Sequence, residues 1–191
     1  MLRINLSKMG LPSKEDNVMK LFFNEPTKHW HFKDIANKAG ISDDRANYWL
    51  KKFMKEQLIK HMHEKGKMPY FIANFEHLSY INKKKLYGLS LLYDSGLVKK
   101  LQELEKAKAI VIFGSFARAD WHQKSDVDVF ILGDAEDLRF GTTWPGLHRE
   151  VQVHEFKTKK DIKKIRSGLI NNVATGYFIK GSIHDIAEVS A

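Results

Sequence analysis

Apolar positions in the first third of the chain recur at helical intervals and then switch to alternation. Val18, Met19, Leu21, Phe22 and Phe23 form one stripe. Ser13 precedes it as an N-cap, Glu15 and Asp16 sit at the positive end of the helix dipole, and Glu25-Pro26 ends it. Phe32, Ile35, Ala36 and Ala39 predict a second, short helix over Phe32–Ala39 that Gly40 closes. Ser42 caps a third, whose inward face is Ala46, Trp49, Leu50, Phe53 and Met54. The period then falls to two. Leu58–His63 and Pro69–Ala73 alternate on either side of the polar tip Glu64-Lys65-Gly66-Lys67, the pattern of a β-hairpin.

Beyond Phe75 the pattern changes again. Leu78, Tyr80, Ile81, Leu86, Leu89, Leu91 and Leu92 surround Lys83-Lys84-Lys85 and predict a connecting helix, with apolar content that could also support a homodimer. Ser95 is placed to cap a helix over Gly96–Lys106. Ala109–Phe113 and Asp126–Leu132 read as buried strands, and Gly133–His148, with Gly141 to Gly146, reads as a loop. Arg149–Phe156 alternates as a strand with Val151 and Val153 inward and Glu150, Gln152 and His154 on the other face. Asp161–Ile170 reads as a helix with Lys163, Lys164 and Arg166 outward, and Tyr177–Lys180 lies in a last apolar segment expected to pack on the sheet.

Two regions follow. A short helix, a Gly turn, a longer amphipathic helix and a hairpin with a basic tip make residues 13–75 resemble winged helix-turn-helix DNA-binding domains. Arg45, Asn47 and Tyr48 on the outer face of the third helix can reach base edges or phosphate. Lys51, Lys52 and Lys55, with Lys65 and Lys67 on the tip, suit the phosphate backbone. Asp43-Asp44 opposes this, and such domains also dock proteins. The expected organisation is a winged helix over 1–75, a helical connector over 76–94 and a second domain over 95–191. The fold class is α+β.

Composition narrows the setting. The 191 residues are 43% apolar and carry no cysteine, which excludes a disulfide framework and a thiolate zinc site. No apolar run approaches the length of a membrane span, and the first residues lack a signal-peptide core, so a cytoplasmic protein is expected. A net charge of +9 favours an anionic partner, although a solvated lysine-rich surface carries the same sign. His29-x-His31 and His61-x-His63 could each chelate zinc but have no third ligand nearby in the sequence.

The chemistry concentrates in residues 114–128. Ala109–Phe113 stops at Gly114-Ser115, a strand-to-helix turn whose free N–H groups can hold phosphate. Asp126 and Asp128 stand at i and i+2, so a strand projects both from one face, where one Mg²⁺ can bridge them. Gly114-Ser115-Phe116-Ala117-Arg118-Ala119, followed by Ser125-Asp126-Val127-Asp128-Val129, closely resembles the nucleotidyltransferase superfamily of DNA polymerase β and the minimal nucleotidyltransferases. The resemblance implies a polymerase β-like mixed β-sheet with flanking helices over roughly 95–180. It implies transfer of a nucleoside monophosphate from a nucleoside triphosphate, ATP first among them, to an acceptor hydroxyl with release of pyrophosphate. Gly114, Ser115, Arg118 and Ser125 would bind nucleotide, and Asp126 and Asp128 the metal.

Two positions depart from that pattern. Ala119 replaces a glycine, and the place of a third carboxylate falls on Gln152. Glu150 or His154, on the same strand face, could substitute. Three functions remain open: a nucleotidyltransferase steered by a DNA-binding domain, a DNA-binding regulator with a degenerate transferase domain, and an antitoxin that adenylylates a partner toxin.

Overall fold

The computed structural model describes residues 13–136, 138, 142–162 and 167–187. The chain divides between Lys84 and Lys85 into two compact units.

In the first unit, α1 (Lys14–Asn24) starts at a reciprocal capping box: the Ser13 hydroxyl accepts from the Asp16 N–H and the Asp16 carboxylate accepts from the Ser13 N–H. α2 (Phe32–Ala39) ends on Gly40 at φ 62°, and α3 (Asp43–Lys55) begins at Ser42. Most residues of the stripes that the sequence shows are buried, with Phe22 and Phe23 from α1, Ile35 from α2, and Leu50 and Phe53 from α3, while Leu21, Phe32, Trp49 and Met54 are half-buried. β1 (Ile59–Met62) pairs antiparallel with β2 (Tyr70–Ala73). Trp30 joins Phe71 by a two-way backbone bridge, which adds a third extended segment ahead of α2. The Tyr80 hydroxyl, at the start of α4 (Leu78–Asp94), donates to the Phe22 carbonyl and ties that part of the helix to this unit. The unit division falls inside α4, within the segment read as a connector.

In the second unit, α5 (Leu97–Gln102) leads into β3 (Ala107–Phe113), followed by α6 (Ser115–Arg118), β4 (Val127–Gly133), β5 (Thr142–Trp144) and β6 (Arg149–Phe156). α7 (Lys159–Ile162), α8 (Ser167–Ala174), β7 (Tyr177–Lys180) and α9 (Ile183–Ile186) complete it. The sheet order is β5-β6-β4-β3-β7, with β4–β6 parallel and the other pairs antiparallel. β3 and β4 are buried along nearly their whole length, as continuous apolar runs require. One sheet face packs Ala109, Val111, Phe113, Phe130 and Leu132 against Ile162, Val173 and Ile186 from the C-terminal helices.

Two expectations are corrected here. The helix read over Gly96–Lys106 stops at Gln102, and Ala107 already belongs to β3. The segment Gly133–His148, read as a loop, contains β5; three residues are too few for alternation to show in sequence. Of the helix read over Asp161–Ile170, Asp161, Ile162 and Ser167–Ile170 are helical, in α7 and α8, while Lys163, Lys164 and Arg166 lie outside the described residues, as does Gly141. Among the described residues no helix is long and apolar enough to cross a membrane.

Candidate functional site

Register brings the motif together. β3 runs antiparallel to β4 so that Phe113, its last residue, pairs with Asp128, and parallel β6 sets Gln152 opposite Asp128. The end of one strand and the beginnings of two others therefore meet at one edge of the sheet. Gly114 follows with φ 70° and ψ −143°, a conformation essentially restricted to glycine. Any Cβ there would overlap the Asp128 carboxylate, whose Cγ would lie 3.0 Å away. The Gly114 backbone and the Asp128 side chain are thus in direct contact, and the turn that can hold phosphate touches the group that can hold a cation.

Both aspartates are half-buried. Gln152 Nε2 donates to Asp126 Oδ2 at 2.7 Å. His154 Nε2 lies 3.5 Å from Asp128 Oδ1, within ion-pair distance, and makes no hydrogen bond. Glu150 is exposed on the same β6 face, opposite Thr143 of β5. Among the described residues no three His, Cys, Asp or Glu side chains converge as a finished metal shell. Two carboxylates and an imidazole are donor types that suit a divalent cation.

Residues 95–188 match the nucleotidyltransferase domain family. Domains of this family generally work with divalent metal ions. A protein of Methanocaldococcus jannaschii named "Putative protein adenylyltransferase" is 45% identical over 31 residues, which are 16% of this chain and 31% of that relative's length. No solved structure matches the chain.

Around the nucleotidyltransferase motif, the remaining sequence candidates have local duties. Arg118 forks onto Asp120, with Nε donating at 2.9 Å and one terminal nitrogen at 3.4 Å. The Ser125 hydroxyl accepts from the His122 N–H at 2.9 Å and closes the turn that delivers Asp126. Ala119 adopts φ 63°, the left-handed region that explains why a glycine suits this position in the domain's motif.

Sequence reasoning missed Arg149. Its buried guanidinium donates to the carbonyls of His122 and Ser125 at 2.6 and 2.7 Å and stacks over Phe116 and Trp121 at 5.3 and 5.1 Å. It clamps the loop carrying Asp126 onto the first residue of β6. Burial pushes its pKa down, and Tyr87 and Asp126 oppose that shift. An arginine at a strand start looks solvated in sequence; only the stacked Phe116–Trp121 pair reveals its site.

On the first unit, Arg45, Asn47, Tyr48, Lys51 and Lys55 are exposed along α3, as are Lys65 and Lys67 on the hairpin tip. Lys67 pairs with Glu64 at 2.5 Å. Lys52 points elsewhere: it bonds Glu15 at 3.1 Å, approaches Glu56 at 3.8 Å and lies over the Trp49 ring. Lys83 reaches the same Glu15 at 2.8 Å. Burial tends to raise the Glu15 carboxyl pKa, but these two lysines outweigh it and hold it below the ordinary range. Asp43 is partly neutralised by Lys33. A cleft of about 440 Å³ opens beside the α3 start, lined by Lys14, Asp44, Arg45, Tyr48 and Trp49.

Proposed function

We propose that the second unit transfers a nucleoside monophosphate from a nucleoside triphosphate to an acceptor hydroxyl, with Mg²⁺, and that the first unit is a winged helix that binds DNA. The contact of the Gly114 backbone with Asp128, beside Asp126 on the same edge, carries the transferase reading. Backbone N–H groups of the Gly114–Ser115 turn and the Ser115 hydroxyl hold the β- and γ-phosphates. Asp126 and Asp128 hold Mg²⁺, which when bound neutralises charge on the α-phosphate and on the attacking oxygen. Arg118 adds a charge-assisted contact once it leaves Asp120. The acceptor oxygen forms a bond to the α-phosphorus, the bond from that phosphorus to the α,β-bridging oxygen breaks, and the β- and γ-phosphates depart as pyrophosphate. Glu150, the remaining carboxylate on the β6 face, takes the hydroxyl proton.

ATP as the nucleotide and a protein hydroxyl as the acceptor are favoured by the adenylyltransferase name of the M. jannaschii relative. The DNA reading rests on the order of three helices and a hairpin, and on exposed Arg45, Lys51 and Lys55 along α3. A second reading, a DNA-binding regulator with a degenerate transferase, is favoured by the neutral Gln152 bonded to Asp126.

The test is incubation of the full chain with Mg²⁺ and each α-³²P-labelled nucleoside triphosphate, with co-purified proteins as acceptors and a DNA mobility shift alongside. Label transferred by the wild type and lost in Asp128→Ala supports the transferase. DNA binding without transfer under any of the four nucleotides contradicts it and leaves the regulator.

A further inference from the structure

Two side chains of β6 reach the paired aspartates, and they reach them differently. Gln152 is satisfied by its hydrogen bond to Asp126. His154 Nε2 is buried and has no hydrogen bond, although the rest of the ring is partly exposed. A buried polar atom without a hydrogen bond is costly, and a ligand is one way to remove that cost. The ring is held by the edge of Phe113, with centroids 5.3 Å apart. Its nitrogen faces Asp128 Oδ1 at 3.5 Å. Two donors each about 2.1 Å from one cation stand about 3.0 Å apart at a right angle and about 3.4 Å apart at the tetrahedral angle. The pair is too far apart for a good hydrogen bond and close to the spacing of two ligands on one ion.

We propose that His154 is a nitrogen donor to the cation held by Asp126 and Asp128, so that the centre favours Mn²⁺ over Mg²⁺. This rests on the two-carboxylate reading above. Gln152, opposite Asp128, supplies no negative charge, so the protein brings two charges and an imidazole to the ion. Mg²⁺ prefers oxygen ligands and gains little from imidazole, whereas first-row transition cations accept it readily. No finished shell stands among the described residues. Asp128 and His154 form the first pair, and the cation draws Asp126 in against its hydrogen bond to Gln152.

The experiment uses the full chain with Mn²⁺ or Mg²⁺ alone, without nucleotide. Calorimetry gives the affinities, and electron spin-echo envelope modulation of bound Mn²⁺ reports nitrogen coordination. Nitrogen modulation in the wild type, an Mn²⁺ preference of about tenfold and loss of both in His154→Ala support the assignment. His154→Asp should move the preference toward Mg²⁺, a gain that misfolding cannot imitate. Mn²⁺ that needs Asp126 and Asp128 but shows no nitrogen modulation, with affinity unchanged in His154→Ala, overturns the assignment and leaves the two-carboxylate reading standing. Mn²⁺ binding untouched in Asp126→Ala/Asp128→Ala overturns both.

Discussion

In the second unit, two aspartates chosen by spacing are half-buried at the start of β4, and Asp128 touches the Gly114 turn. In the first unit, a lysine chosen by the same kind of reasoning turns away from the expected face and joins Glu15 and Glu56. The difference lies in the side chains. An aspartate has one carbon between backbone and carboxylate, so the local backbone dictates where its charge sits. A lysine carries its charge on a flexible four-carbon stem and settles on whichever carboxylate is near. Spacing therefore fixes the place of a short acidic side chain more closely than that of a long basic one.

Substitutions can break or sharpen that contrast. The largest effect is expected from Asp128→Ala: transfer should fall by at least about 10²–10³-fold in a labelled-nucleotide assay while the circular dichroism spectrum stays native. Undiminished transfer would mean that the strand does not place the working carboxylate. Arg149→Met keeps an apolar stem over Phe116 and Trp121 but removes the donors to His122 and Ser125. We expect a loss of roughly 2–3 kcal/mol in urea unfolding, from charged hydrogen bonds in a buried site. Ala119→Gly should move the other way and add about 1 kcal/mol, because glycine meets φ 63° without strain.

On the first unit the expected effects are smaller and divide the lysines. Lys51→Ala and Lys55→Ala should each weaken DNA binding and lower its salt slope by about one. Lys52→Ala should leave the salt slope unchanged and cost at most about 1 kcal/mol of stability, as a screened ion pair does. Equal loss of DNA affinity in all three would show that Lys52 leaves Glu15 when DNA arrives. The smallest effect concerns pH. The Glu15 pKa is lowered in the folded state, so its contribution is present above the ordinary value of 4.5 and fades as pH falls through the lower folded value. Glu15→Gln should flatten that part of an acid-unfolding curve, and an unaltered curve would remove Glu15 from the account.

Periodicity carried the three helices, the hairpin and the central strands, because each has a stripe or run long enough to register. Asp126 and Asp128 were legible for the reason given above. β5 was not, since Thr142–Trp144 acquires its identity from pairing with β6. The role of Arg149 was not legible either, because its partners are carbonyls and rings distant in sequence. Nor was the contrast between Gln152 and His154, two residues of one strand face that differ in whether their polar atoms make a hydrogen bond.

Calorimetric titration of ATP with Mg²⁺ into the full chain, beside Asp126→Ala/Asp128→Ala, tests the central claim most directly. Metal-dependent binding in the wild type that disappears in the variant is the result expected of a site built from the Gly114 turn and the two aspartates. Binding that persists in the variant, or that fails in the wild type with each of the four nucleoside triphosphates, would contradict it.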